Sequence, residues 1–365
     1  MCVLLLWGFV IMWYDAGMDL DLKNKTHGEL EQILSGFGAR EYLADYMFSF
    51  IHGRNVVSVD EITPLSKALR AKMRDAGYFI SRLEVVERFD DPDGTVKFLF
   101  AAGDGTRFES VVLTEERQER GEQQVRRTVC VSCQAGCRMG CAFCATGQLK
   151  FGRNLTAGEI ADQVNQARAA CGKISNVVYM GMGEPFDNYE NVLRSIAIVN
   201  DRGGLGIGQR HITVSTCGIC EGIERFAGEH LQVRLAVSLH GATDAVRERI
   251  MGVARRYPLK RVMGAVKEYQ RQSGRRVTFE YCMIRDVNDS AADAEAMARL
   301  LKGVDAAVNL IEFNPHEGCT FTGSSRGAIQ RFREVLERSG VETVIRYRRG
   351  RAIKAACGQL GARQV

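Results

Sequence analysis

Long hydrophobic runs are scarce in this sequence of 365 residues. One stands at the N-terminus, VLLLWGFVIMWY, and Asp15 ends it after 12 residues, whereas a membrane-spanning helix needs about 20. No Lys or Arg precedes the run and no A-x-A-like cleavage site follows it, which disfavours a secretory signal. We expect residues 1–17 to be a non-native apolar leader, Met18 to be the true start, and the protein to have no membrane association.

The sequence also lacks low-complexity regions, repeats of the solenoid type and a strong excess of either charge. Its net charge of +5 and pI near 8.6 permit a nucleic-acid partner without requiring one. The hydrophobic share of 45% and the charged share of 25% are ordinary for globular proteins, so a full core is expected. At roughly 150 residues per domain, the length suits one large domain with a smaller companion, or two domains.

Cysteine is abundant, with 12 in the chain, and the cysteines are bunched. One short window contains Cys130, Cys133, Cys137, Cys141 and Cys144. Thiols that lie three and four residues apart on a tight loop point towards one centre, which suits a metal better than disulfides. The pattern therefore indicates a reducing, cytoplasmic setting.

The pattern of apolar residues divides the chain into two parts. Residues 18–116 contain three short helical segments, the first with a Thr26–Glu29 capping box, followed by three strands. The polar run from Glu115 to Arg127 then marks a boundary. Beyond it, six strand–helix repeats predict a parallel α/β sheet with right-handed crossovers.

We expect this second part to form a partial (β/α)6 barrel, with a doubly wound open sheet as the alternative. In barrels of this kind, the carboxyl ends of the strands carry the site. Polar side chains follow several predicted strand ends: Glu184, Ser215, Ser238, His240 and Asn314.

The stretch CRMGCAFCATG places Cys137, Cys141 and Cys144 in the spacing CxxxCxxC, directly after the first of these strands. A structural zinc site takes four ligands and a [4Fe–4S] cluster has four irons, so three thiols leave one position open. An open iron can chelate the amino and carboxylate groups of S-adenosylmethionine and reduce its sulfonium. The alternative is zinc completed by a fourth ligand such as Cys133.

A second motif, YMGMGEP, spans residues 179–185, and its glycines would let the backbone approach a ligand at a strand end. Glu184 could accept from a ligand's ammonium group. The glycine-rich stretch at residues 203–208 precedes a strand instead of following one, so it indicates a loop and no nucleotide site.

From about Asp19 to Leu360 the chain resembles the radical S-adenosylmethionine RNA methyltransferases that modify adenine in large-subunit ribosomal RNA. The resemblance rests on seven stretches in the family's order: CVSCQAGCRMGCAFCATG, RNLTAGEI, YMGMGEP, VSTCG, SLH, EFNP and AACGQL. Within the family, GEP and the complete N-terminal part favour the RlmN type, which methylates carbon 2. The short C-terminal end is more like the Cfr type, which methylates carbon 8.

The resemblance implies a mechanism for methylating a carbon that is too electron-poor to attack a sulfonium. A methyl group first moves to Cys357, and a radical from a second S-adenosylmethionine removes one of its hydrogens. The resulting methylene radical adds to the base, which joins enzyme and RNA covalently. Glu109 then removes the ring proton, and Cys130 releases the product by forming a disulfide with Cys357.

The resemblance also implies cofactor contacts and partners. Cys137, Cys141 and Cys144 would hold the cluster. The expected S-adenosylmethionine contacts are Gly183, Glu184, Ser215, Ser238, Leu239, His240 and Asn314. The expected partners are large-subunit ribosomal RNA, with transfer RNA as a second substrate, and an electron donor such as flavodoxin. We expect a monomer with an RNA-binding accessory domain at 18–116, a radical S-adenosylmethionine core at 117–345 and a carrier segment at 346–365.

Cations precede the expected carrier cysteine: Arg346, Arg348, Arg349, Arg351 and Lys354. We expect them to bind RNA phosphates and to lower the pKa of Cys357. The alternatives are a solvated face for the cations and a passive small residue for Cys357. Cys133 and Cys217 stand where the family has serine, and Cys220 is an additional thiol.

Two other functions remain open at this point. One is methylation of carbon 8 of adenine. The other is RNA binding without catalysis, in which the cysteines hold a structural metal ion and Cys357 is idle.

Overall fold

The computed structural model of the chain describes residues 20–119 and 122–361. The predicted leader and the predicted start at Met18 lie outside the described residues. Helices α1 to α11 span His27–Gly36, Leu43–Phe48, Lys67–Asp75, Ala145–Gln148, Ala157–Cys171, Tyr189–Asn200, Cys220–Gly228, Asp244–Ile250, Leu259–Ser273, Ala291–Leu300 and Arg326–Arg338. Strands β1 to β12 span Glu84–Asp90, Val96–Ala101, Arg107–Glu119, Glu122–Cys130, Gln134–Ala135, Arg153–Asn154, Asn176–Tyr179, Ile212–Thr216, Arg234–Ser238, Val277–Met283, Ala306–Glu312 and Glu342–Arg346.

Ten of these strands form one sheet in the order β1-β2-β3-β4-β7-β8-β9-β10-β11-β12. The pairs from β1 to β4 are antiparallel, and every pair from β4 to β12 is parallel. Each parallel strand lies beside the next one along the chain, so the order never reverses as it does in a doubly wound sheet. The predicted partial barrel is therefore confirmed, and its edges among the described strands are β1 and β12.

Local sequence signals fix the ends of several helices. The predicted Thr26–Glu29 capping box is present at the start of α1, and a second box, Thr156–Glu159, begins α5. Gly274 ends α9 in the left-handed conformation, which glycine adopts without steric cost. Sequence patterns missed α8, since its seven residues are mostly charged and carry no clear apolar period.

The polar run predicted as a boundary is a hairpin in the structure. Strand β3 continues to Glu119, beyond the predicted division after residue 116, and pairs with β4 as far as Glu122. The antiparallel strands of the N-terminal part thereby extend the barrel sheet. The division into domains stays a prediction.

Buried polar contacts fasten the N-terminal helices to the barrel. The ammonium of Lys23 lies 2.9 Å from the Asp162 carboxylate on α5, and both side chains are almost completely buried. Asp162 also accepts from the backbone N–H of Leu83 at 2.8 Å. Among the described residues no helix has the length and apolar character that a membrane crossing requires.

Candidate active site at the carboxyl ends of the parallel strands

A polar stripe crosses the barrel interior near the carboxyl ends of the parallel strands. Ser215 on β8 and Ser238 on β9 place their hydroxyl oxygens 3.4 Å apart. Ser238 pairs in register with Glu280 on β10, which pairs with Asn309 on β11. The Asn309 amide donates to the Glu280 carboxylate at 2.7 Å. The two predicted serines are thus brought together, beside an acid–amide pair that sequence patterns did not single out.

The motif after β7 forms a rigid corner around Glu184. Gly183 has φ +100°, and a Cβ there would lie 2.8 Å from the backbone nitrogen of Gln134, so only glycine fits. The Glu184 carboxylate is buried and accepts from the backbone N–H groups of Phe186 at 3.1 Å and Cys217 at 2.8 Å. Burial raises the pKa of Glu184 despite these bonds. The corner therefore presents a fixed acceptor for a cationic ligand group.

The predicted residues after β9 are held by the neighbouring strand. The backbone N–H groups of Leu239 and His240 both point at the Glu280 carbonyl, at 3.1 and 3.3 Å. His240 accepts the Cys282 backbone N–H on its Nδ1 at 3.0 Å. Burial, with a contribution from the Arg247 charge, lowers the pKa of His240 to about 3. The imidazole is therefore neutral and fixed, and its ring packs edge-on against Phe143 on the cysteine loop.

Asn314 contains a buried acceptor with no protein partner. Its amide nitrogen donates to the carbonyl of Cys357 at 3.0 Å, while its Oδ1 has no hydrogen-bond partner within the described residues. A buried polar atom without a partner costs about 1–3 kcal/mol, which a ligand donor would recover. This orphaned oxygen fits the predicted contact with S-adenosylmethionine.

The loop with the three predicted cluster cysteines is anchored on both sides. Ala142 donates its N–H to the Ile250 carbonyl at 2.9 Å, and Cys141 forms a β-bridge with Met251. On the other side, the Ala145 N–H donates to the Gly358 carbonyl at 2.8 Å, beside Cys357. The loop is therefore fixed between α8 and the C-terminal segment.

The three thiols share one electrostatic environment. Burial raises the pKa of Cys137 to about 12, with contributions from Glu184 and Cys144. Burial, and next the charges of Cys144 and Cys137, also raise the pKa of Cys141. In the part of the chain that the structure describes, no three His, Cys, Asp or Glu side chains converge in a ligating arrangement. The donor set itself, three thiols without a carboxylate at the same loop, fits a soft iron–sulfur cluster.

The C-terminal segment lies across this edge and carries Cys357. Thr146 donates to the Leu360 carbonyl at 2.8 Å, and Gln359 donates to the Pro315 carbonyl at 2.7 Å. Together with the Asn314 contact, these bonds hold the segment to the cysteine loop and to the end of β11. Cys357 itself is exposed to solvent.

Cys357 lies within electrostatic range of the other predicted reactive thiols. Partial desolvation, and next the charges of Glu280 and Cys144, raise the pKa of Cys357. Burial, and next the charge of Cys357, raise the pKa of Cys130 at the end of β4. The bond from Ala145 to Gly358 holds Cys357 near the loop that contains Cys144, and both Cys130 and Cys357 are free thiols.

The expected lowering of the Cys357 pKa is wrong for this arrangement. Arg346 does favour the thiolate, but desolvation together with the charges of Glu280 and Cys144 outweighs it. The basic residues are also partly occupied within the protein. Arg348 donates to the Phe313 carbonyl, and Arg349 donates to the Thr114 carbonyl at 2.8 Å. Their role in RNA binding stays a prediction.

Glu109, predicted as the base, is fully buried on β3 and is not a surface residue. The Lys97 ammonium on β2 lies 2.9 Å from its carboxylate, and both side chains have no exposed surface. Its other oxygen accepts the backbone N–H of Gly361. Lys97 also donates to the Lys354 carbonyl at 3.4 Å, so the pair holds both flanks of the segment around Cys357. The charged partner Lys97 was not identified from the sequence.

Replacing Lys97 with Met should destabilise the protein strongly, since breaking a buried ion pair leaves an uncompensated charge and costs about 3–5 kcal/mol. The double variant Lys97→Met/Glu109→Gln should recover most of that loss, because no charge then remains buried. Urea unfolding of the three proteins, purified without oxygen, measures the effect. A single variant as stable as the parent, or a double variant less stable than the single, would contradict this energetic role.

Comparisons with known proteins agree with the fold and identify the family. Residues 131–301, which include the three-cysteine loop, match the sequence profile of the radical SAM superfamily. Residues 20–78 match the profile of the ribosomal RNA large subunit methyltransferase N-terminal domain. A crystal structure of a radical SAM methyltransferase from Sphaerobacter thermophilus superposes with a TM-score of 0.85 at 42% identity, covering 94% of this chain and 99% of that one.

Curated relatives match nearly the whole chain. The dual-specificity RNA methyltransferase RlmN of Pelobacter propionicus is 43% identical over 340 residues, which is 93% of this chain and 95% of that protein. The probable dual-specificity RNA methyltransferase RlmN of Thermus thermophilus is 44% identical over 315 residues, 85% of this chain and 86% of that protein. With the radical SAM fold, the three-cysteine loop and this level of identity, the chain belongs to the RlmN family of radical S-adenosylmethionine RNA methyltransferases, which use a [4Fe–4S] cluster.

Proposed function

We propose that this protein methylates carbon 2 of an adenosine in 23S ribosomal RNA, with transfer RNA as a second substrate. The observation that carries the proposal is the hydrogen bond from the Ala145 N–H to the Gly358 carbonyl, which holds the segment around Cys357 against the three-cysteine loop of a radical SAM barrel. A carrier thiol, a cluster ligand and a second thiol are the groups that this chemistry needs in one place. The description of the relatives as dual-specificity RNA methyltransferases supports two RNA classes.

Cys137, Cys141 and Cys144 are the proposed cluster ligands, and Glu184, Ser215, Ser238 and Asn314 line the proposed S-adenosylmethionine site. When bound, the cluster and two molecules of S-adenosylmethionine supply the methyl group and the radical that removes a hydrogen from it. The neutral His240 ring, held by its bond from Cys282, closes the wall of this site beside Phe143.

Cys357 is the proposed methyl carrier. Its thiol proton must leave before its sulfur can displace a methyl group. The positive charge of a bound sulfonium would favour the Cys357 thiolate.

Glu109 and Cys130 are the proposed groups that complete the reaction. The Glu109 carboxylate, 2.9 Å from the Lys97 ammonium, would take the ring proton, and the electron left on the base would return to the oxidised cluster. Cys130 then attacks the Cys357 sulfur: a sulfur–sulfur bond forms, the carbon–sulfur bond to the RNA breaks, and the released methylene carbon takes up a proton. Because Gly361 bonds to Glu109, the end of the carrier segment must leave Glu109 before it acts.

The proposal includes a cytoplasmic location, a monomeric protein and a one-electron donor such as flavodoxin. The N-terminal part would hold folded RNA while the target base is unstacked to reach the site. The mildly basic charge of the chain suits such a partner.

Mass spectrometry of ribosomal RNA digests, from cells with and without the gene, tests the function. We expect 2-methyladenosine to be present with the gene and lost without it. A Cys171→Ala version should restore the product, since Cys171 lies on α5 away from the strand ends. Formation of 8-methyladenosine instead would contradict the assigned carbon, and a gene-independent pattern would contradict RNA methylation itself.

A further inference from the structure

Arg247 on α8 is a completely buried cation that the proposed reaction does not use. Its guanidinium donates to three backbone carbonyls: Leu239 at 3.2 Å, Tyr257 at 2.9 Å and Cys217 at 3.2 Å. Two of these carbonyls belong to the walls of the proposed S-adenosylmethionine site. The side chain therefore reaches from α8 to the back of that site.

No carboxylate forms an ion pair with Arg247 among residues 20–119 and 122–361. Asp244, one turn earlier on α8, is close enough to favour its charge, but its carboxylate accepts from the Leu259 N–H at 2.7 Å. Burying a charge without a counter-charge costs several kcal/mol, and burial indeed lowers the pKa of Arg247. An anion in its surroundings is therefore required for the charge to be tolerated.

Cys141 on the cluster loop packs with Cys217 against Ile250 and Met251 at the end of α8. Cys141 and Cys217 are among the groups whose charge would favour protonated Arg247. The same helix holds the loop in place, because the Ile250 carbonyl accepts from Ala142 at 2.9 Å and Met251 bridges to Cys141. Arg247 thus stands one turn before the point at which α8 contacts the loop.

We propose that Arg247 is a positioning residue for the cluster: it places a fixed positive charge behind the cysteine loop and favours the reduced cluster. The inference rests on the proposed ligands Cys137, Cys141 and Cys144. Three thiolates make the bound cluster anionic, and reduction adds one further negative charge. A buried cation lowers the energy of the reduced form more than that of the oxidised form, which raises the midpoint potential.

An EPR-monitored redox titration of the reconstituted holoenzyme, without RNA, tests the inference. Arg247→Gln retains an amide donor for the carbonyls but removes the charge, so its midpoint potential should be more negative than that of the parent. Arg247→Lys retains the charge and should stay near the parent value. If Arg247→Gln and the parent have the same midpoint potential, Arg247 only holds the backbone in place and the inference is wrong.

A second variant covers the case in which Arg247→Gln fails to hold the cluster. Asp244→Asn retains an acceptor for the Leu259 N–H and removes an opposing negative charge, so the midpoint potential should become less negative. An unchanged or more negative potential would contradict the inference. If the parent protein shows no [4Fe–4S] EPR signal, the proposed function is wrong as well. A normal signal with unchanged potentials would contradict only the inference about Arg247.

Discussion

Replacing Cys357 with Ala should abolish RNA methylation, by at least about a thousandfold, because the variant lacks the proposed nucleophile that accepts the methyl group. The same variant should retain its cluster, since Cys357 is not among the proposed ligands. Its loss of product would therefore reflect the carrier step alone. Liquid chromatography with mass spectrometry measures 2-methyladenosine, and visible absorption with iron analysis measures the cluster.

Two controls sharpen this experiment. Cys171→Ala removes a half-buried thiol on α5 and should leave product formation near the parental rate. Peptide mass spectrometry of the parent, incubated anaerobically with S-adenosylmethionine and reductant, should find one added methyl group at Cys357. Methylation of RNA by Cys357→Ala at the parental rate would remove Cys357 from the mechanism, whatever the state of the cluster.

The barrel could be predicted from the sequence because its signals are local. Apolar strands alternate with helices whose capping residues stand beside them, as at Thr156 and Glu159. The carboxyl ends of parallel strands meet at one edge, so Glu184, Ser215 and Asn314 could be assigned to a common site before their contacts were known. The CxxxCxxC spacing of Cys137, Cys141 and Cys144 likewise indicates, without a structure, a metal cluster with three protein ligands.

The buried charges of the site could not be predicted in this way. Lys97, Arg247 and Glu280 are residue types that usually lie at the surface, and nothing beside them in the sequence indicates otherwise. Their partners come from other elements: Lys97 needs Glu109 from the next strand, and Arg247 needs carbonyls from three separate loops. Only the packed fold shows that each charge is buried and which groups contact it.

The surroundings of Cys357 show the same limit. Counting the nearby arginines predicted a lowered pKa, whereas the fold directs Arg348 and Arg349 to backbone carbonyls and places Glu280 beside the thiol. The sequence shows which charged residues are near Cys357 along the chain, but it does not show which groups their side chains contact. In a partly desolvated site, the charges that actually face the thiol decide whether its pKa is raised or lowered.

Replacing Cys130 with Ala should trap a covalent protein–RNA adduct, because the variant lacks the thiol that would attack the Cys357 sulfur. The adduct should appear as a band of reduced mobility on a denaturing gel, and ribonuclease should return it to the position of the free protein. Free methylated product should fall by at least about a hundredfold, since release then depends on slow external thiols.

Cys282 provides the matched control for this prediction. It is a buried thiol on β10, and the charge of Cys357 raises its pKa just as it raises that of Cys130. Either thiol could therefore resolve the adduct on electrostatic grounds. The Cys282 backbone N–H, however, is bonded to His240, and β10 is separated in the order of the sheet from β3, the strand of Glu109, by β4, β7, β8 and β9. Cys130 ends β4, the strand that pairs with β3, where Glu109 lies. The adduct should thus accumulate in Cys130→Ala and not in Cys282→Ala; the reverse pattern would reassign the resolving thiol, and no adduct in either variant would exclude a covalent intermediate.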